Sequence, residues 1–142
     1  MKSTDSPECA LLLLEKGADP TIVDDYGATA LSTASGTGGA SSIDLLIKHG
    51  ADINHRDFIS TTPLHSCFFR GTLDCLLVLL PYRPDPTILM EDGLLAIESA
   101  FRDDMSHMIE YLIQNETYIK IDESNVMRLI ECAIMFKADK CL

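Results

Sequence analysis

Apolar triplets recur along this chain at a fixed step. Leu12-Leu13-Leu14 is followed by Leu45-Leu46-Ile47, Val78-Leu79-Leu80 and Tyr111-Leu112-Ile113, each set 33 residues after the last. A second pattern keeps the same register: "TALSTA" from Thr29 maps onto "TPLHSC" from Thr62, "LAIESA" from Leu95 and "RLIECA" from Arg128. Each period therefore holds two short apolar segments separated by polar punctuation. Two short helices cannot bury their apolar faces alone, so stacking of successive units must supply the core.

One unit shows the local logic. Thr62 is suited to cap a first helix with its hydroxyl, and Pro63 fits the next position because its fixed φ is helical and its missing N–H would be unpaired there. Leu64 and Cys67, three apart, share a face. Gly71 ends that helix, Leu73 to Leu80 supply a longer and more apolar second one, and the Pro81 to Pro86 segment stops it. Between units, "KGADP" from Lys16 returns as "HGADI" from His49 and "YRPDP" from Tyr82. The expected organisation is three complete units at 24–56, 57–89 and 90–122. Residues 1–23 would give mainly a second helix, and 123–142 a first helix with the start of the next. Lys140-Cys141-Leu142 aligns with Asp74-Cys75-Leu76, so the chain is expected to stop inside a unit, as a fragment, a truncated product or a domain that continues in a longer protein.

The stretch "SGTGGASS", Ser35 to Ser42, could be a phosphate-cradling loop or a turn. It lacks a preceding buried strand and a Gly-Lys-Ser/Thr ending, and Gly38 aligns with Gly71. The expectation is a loosened turn between two helices, and the least stable part of the array, because glycine disfavours helix.

A 33-residue period with T-P-L-H at Thr62-Pro63-Leu64-His65, and G-A-D at Gly17-Ala18-Asp19 and Gly50-Ala51-Asp52, resembles the ankyrin repeat. The resemblance implies an all-α solenoid of helix-turn-helix units joined by hairpin-like loops. It implies that His65 hydrogen-bonds within the loop and helix framework. It also implies partner binding on the loop tips and on the concave face of the first helices. By register that surface holds Tyr26, Phe58, Ile59, Phe69, Arg70, Leu94 and Arg102, with Met135 and Phe136 as secondary positions. Aromatic residues and Arg are enriched at interface centres, so Phe58, Ile59 and Phe69 are the expected anchors. Asn54, in the sequence Asp52-Ile53-Asn54, matches a position that the family exposes to hydroxylation. In the later units Leu95-Ala96-Ile97-Glu98 has no hydroxyl cap, proline or His; Pro84 and Thr117 replace the alanine of G-A-D, and Tyr118 its aspartate. These departures predict less regular turns there, with the stacking kept.

Charge narrows the partner. Twenty-two acids against 11 bases give a formal charge of −11, which opposes nucleic acid and anionic membrane surfaces. Acids crowd the linking segments; Asp19, Asp24, Asp52 and Asp57 match family aspartates that stabilise turns, and the remainder, Asp25, Asp85, Glu91, Asp92, Asp122 and Glu123, give an edge suited to a protein with a basic patch. The apolar runs fall far short of the roughly 20 residues that insert across a bilayer. "MKSTDSPE" is no signal peptide, so the five cysteines are expected reduced, in the cytoplasm or nucleus.

Candidate chemistry is sparse. Cys9, Ser42, Cys75, Met108 and Cys141 share one repeat column, and Cys67 stands where Ala34, Ala100 and Ala133 stand, which reads as packing. No C-x-x-C pair or H-E-x-x-H helix is present. His65 with Cys67 or Cys75 does not form an evident base and nucleophile pair, and Asp103, Asp104 and His107 fall around a turn. No catalytic group, metal or cofactor is expected.

Overall fold

The structure is a computed structural model that describes residues 6–102 and 105–115, with the isolated positions 127 and 134. The expectations for Asp103, Asp104, Met135, Phe136 and the helix near Arg128 lie outside these residues, as does the side chain of Arg102. Among the described residues seven helices follow in order: α1 (Pro7–Glu15), α2 (Ala30–Thr37), α3 (Ala40–Lys48), α4 (Pro63–Arg70), α5 (Leu73–Leu79), α6 (Ala96–Arg102) and α7 (Ser106–Asn115). A 3-10 turn at Leu80–Tyr82 extends α5. The first helices α2, α4 and α6 pack side by side in one layer, and α1, α3 and α5 in a second. Among the described residues there is no strand, only the isolated bridges Val23–Thr29 and Leu89–Leu95 at the bases of hairpin turns.

The core follows the period. Leu31, Leu64 and Ile97 occupy one register position in the first layer and are all buried; Ile43, Leu76 and Ile109 do the same in the second. Each such side chain contributes about 1.5–3 kcal/mol by leaving water. Polar ties run between neighbouring units: Thr72 Oγ1 donates to the Ser35 carbonyl at 2.6 Å, and the Asp85 N–H to Asn54 Oδ1 at 2.8 Å. The Tyr82 hydroxyl donates to Asp44, fastening the 3-10 turn onto α3.

Helix starts obey one rule with changing chemistry. Thr29 caps α2 by accepting the Ser32 N–H. Thr62 caps α4 by accepting the His65 N–H, while His65 Nδ1 accepts the Thr62 N–H at 3.3 Å, a reciprocal capping box. Leu95 has no hydroxyl, yet its N–H is accepted by Glu98 Oε2 at 2.7 Å.

The turn leading into α6 is also regular, contrary to the sequence expectation. The Met90 N–H donates to the Leu94 carbonyl and the Gly93 N–H to the Met90 carbonyl, repeating Asp24–Ala28 with Gly27–Asp24, and Asp57–Thr61 with Ser60–Asp57. The backbone ladder carries this turn, so losing the aspartate at position 90 does not dissolve it. A left-handed residue closes every described copy: Gly27, Ser60 and Gly93 in the hairpins, and Gly17, Gly50 and Arg83 after the second helices. Ser60 and Arg83 keep the conformation without being glycine, which costs on the order of 1–2 kcal/mol each.

"SGTGGASS" is also tighter than expected. Ser35 to Thr37 complete α2, Ala40 to Ser42 begin α3, and only Gly38 and Gly39 lie between. The Gly39 N–H donates to the Ala34 carbonyl at 2.9 Å, as Thr72 does to Cys67 at 3.1 Å and Met105 to Ala100 at 2.8 Å. Gly38, at φ 88°, takes the left-handed C-cap position that Gly71 takes at 66°. The small residues allow the same turn as in the next unit rather than a looser one.

Candidate protein-binding surface

Among the described residues the hairpin turns form three fingers whose tips are Asp25-Tyr26, Phe58-Ile59 and Glu91-Asp92, one period apart. Two carboxylates stiffen the first two from within. Asp24 Oδ1 accepts the Tyr26 and Ala28 N–H groups, and Asp57 Oδ1 those of Ile59 and Thr61. Successive tips are joined through the backbone: the Phe58 N–H donates to the Tyr26 carbonyl at 3.1 Å, and the Glu91 N–H to the Ile59 carbonyl at 3.2 Å. His55 Nε2 meets the Gly27 carbonyl at 2.7 Å below them.

Large apolar side chains stand on this rigid row. Tyr26 is 78% exposed, Phe58 73% and Ile59 53%. The Phe58 ring rests on Gly27, where an added Cβ would lie 2.7 Å from its Cδ1, so glycine there makes room for the ring. Phe69 is half-buried and Arg70 exposed; with Ile59 they line a groove of about 330 Å³ whose opposite wall is the small residues Ser32, Thr33 and Gly36 of α2. Leu94 sits lower, half-buried at the base of the third finger, with its carbonyl engaged by Met90 and its N–H held by Asp92. The structure thus brings Phe58, Ile59, Phe69 and Arg70 to adjoining faces, with Tyr26 on the neighbouring finger.

The buried polar groups serve the frame. His65 is 1% exposed, with Nδ1 on the Thr62 hydroxyl at 2.8 Å. Burial pushes its ring below the ordinary imidazole range, and Arg56 adds to this; the backbone of Leu94, Asp57 and Asp92 offset it in part. Its Nε2 is enclosed without a well-aligned partner. Cys67 lies in the core, and burial pushes its thiol up to about 12, a neutral and unreactive state at physiological pH. Cys9 departs from the packing expected of its column: it is exposed, on a hollow between α1 and α2 lined by Ala10, Ala30 and Thr33, whereas Ser42, Cys75 and Met108 are buried. Among the described residues, no group of three or more His, Cys, Asp or Glu side chains is placed to hold a metal ion, and no helix is long and apolar enough to cross a membrane.

Sequence reasoning missed Glu98 as a cap acceptor. Its signal was present, since an acid or amide three residues after the cap completes a capping box, but the absent hydroxyl at Leu95 drew attention away from it.

Comparison with known proteins agrees with this geometry. Among curated relatives, the chain is 34% identical over 87 residues to the E3 ubiquitin-protein ligase KEG of Arabidopsis thaliana, covering 61% of this chain and 5% of that protein. It is 31% identical over 103 residues to the human BCL-6 corepressor-like protein 1, covering 72% and 6%. It is 33% identical over 90 residues to the human inhibitor of Bruton tyrosine kinase, covering 63% and 7%. The chain spans less than a tenth of the length of these three relatives. The family profile described as ankyrin repeats, in three copies, matches residues 2–90. With that match over more than half of its length, and with the recurrent caps, turns and stacked helix pairs, the chain belongs to the ankyrin repeat family.

Proposed function

We propose that this chain is a non-catalytic interaction module that binds another protein through its finger tips and the adjoining concave face. The supporting observation is the exposure of Phe58 and Ile59 on a finger whose backbone is fixed from both sides. Large apolar groups held rigidly in water favour a partner, because little conformational freedom is lost when they are covered. Phe69 and Arg70 extend the contact into the groove, with Tyr26 and Leu94 around them, and register alone assigns Arg102 to the same surface. Units at 24–56, 57–89 and 90–122, with partial units at either side, form the array, and the module works inside the cell, in the cytoplasm or nucleus.

Affinity capture from a cell lysate, with wild type beside the Phe58→Ala/Phe69→Ala variant, tests this reading. A specific protein should be retained by wild type and lost from the variant, while the melting temperature stays nearly unchanged. Identical sets of bound proteins would overturn it, and a large drop in melting temperature would assign both rings to the core.

A second reading has its own support. The relatives are proteins many times longer than the matched segment, among them a ubiquitin ligase and a corepressor-like protein. In that reading the module is the recognition arm of a larger regulatory protein.

A further inference from the structure

The three finger tips are not alike. The middle one, Phe58-Ile59, is wholly apolar; its neighbours on either side carry carboxylates, Asp25 beside Tyr26 on one and Glu91 beside Asp92 on the other. All six residues are exposed, and the hydrogen bonds from Phe58 to Tyr26 and from Glu91 to Ile59 hold the tips in one row. Resting on the reading above, we infer that this edge receives an extended basic segment: an aromatic or leucine side chain covering Phe58 and Ile59, with Arg or Lys on both sides of it.

The carboxylates decide the sign. Asp24 and Asp57 turn inward and spend Oδ1 on backbone N–H groups of their own turns, and Asp92 Oδ1 accepts the Leu94 N–H. The carboxylates of Asp25 and Glu91 accept none of these turn hydrogen bonds. A partner lying on Phe58 and Ile59 must pass both of them. A neutral segment would strip water from two carboxylates without replacing it, and an acidic one would meet repulsion. A cation at each flank pairs them instead. Beside Asp25, the exposed Tyr26 ring adds a face on which a guanidinium can stack, which favours Arg over Lys at that flank. Arg70 lines the concave groove together with Ile59, so a basic segment entering the groove would meet a like charge and runs along the finger edge instead.

The test uses the full chain, immobilised at low ionic strength and offered a displayed library of random peptides about 12 residues long, enough to lie along a binding edge as an extended segment. The expected enrichment is an aromatic residue or leucine with Arg or Lys on both sides. A synthetic peptide of that pattern should bind wild type in fluorescence anisotropy. It should weaken roughly tenfold with Asp25→Asn/Glu91→Gln, and the gap between the two proteins should close as salt is raised. Both substitutions are at exposed positions, so an unchanged thermal melt verifies the fold. Enrichment of neutral or acidic peptides, no enrichment at all, or affinity indifferent to Asp25→Asn/Glu91→Gln would overturn the inference. Those failures leave the lysate capture untouched: a protein still lost on Phe58→Ala/Phe69→Ala would keep the module reading and discard only the basic segment.

Discussion

The turn into α4 and the turn into α6 hold the same backbone groups in the same place with different chemistry. At Thr62 a hydroxyl and a neutral imidazole exchange hydrogen bonds with two backbone N–H groups. At Leu95 a single carboxylate, from Glu98, does the half of that work that fixes the cap N–H. Both sites are buried, with Glu98 and His65 each at 1% exposure. What these two units share is an acceptor three residues into the helix, and either a ring nitrogen or a carboxylate oxygen meets that need. The cap hydroxyl is a separate device, and the unit that lacks it still forms its helix.

Removing the acceptor should break the comparison most sharply. Glu98→Ala leaves the Leu95 N–H buried and unpaired and is expected to cost about 2–3 kcal/mol by denaturant unfolding, whereas Glu98→Gln, which keeps an acceptor oxygen, should recover most of that. If Gln behaves like Ala, the carboxylate acts through its charge and the equivalence with His65 fails. A smaller loss is expected from Thr62→Ala, on the order of 1 kcal/mol for a lost hydroxyl cap. That value measures what α6 does without. A cost near zero would mean that His65 alone carries the turn into α4.

The smallest effect separates the two acceptors by pH. Burial lowers the folded-state pKa of His65, so folding favours the neutral ring. Its contribution is fully present above the unfolded imidazole value, about 6.5, and is lost as pH falls through the lower folded value. Stability measured against pH should therefore decline faster below about pH 6.5 in wild type than in His65→Gln, whose acceptor does not titrate. Parallel curves would show that the ring is not held neutral by its surroundings.

These sites also show what the sequence could tell. Caps at Thr29 and Thr62 are local events among residues three apart, and the 33-residue register carried them, the buried columns and the finger positions into view together. Position within a stack is not local. Leu13, Leu46 and Leu79 share one column, yet Leu13 is 62% exposed while the other two are 7% and 0%, because α3 and α5 each pack against helices that α1 does not have beside it. Cys9 was misread for the same reason. "SGTGGASS" was misread in the opposite sense: glycine's low helix propensity pointed to a slack turn, but packing against α4 and the bond from Gly39 to Ala34 keep α2 intact to Thr37. For the binding surface, register placed Tyr26, Phe58 and Ile59 at finger tips. Only three-dimensional structure could show that Phe58 lies on Gly27 and that Leu94 sits lower, engaged by its own turn.

The side-chain hydrogen bonds that join one unit to the next have a further consequence. From His55 to Gly27, Asn54 to Asp85, Thr72 to Ser35, Tyr82 to Asp44 and Cys75 to Ala34, they close loops of 28 to 41 residues, each about one period. The entropy lost in closing a loop grows with its length, and here no loop need exceed its neighbour. A chain built this way can begin folding at any well-capped unit and spread outward, with its two ends never required to find each other.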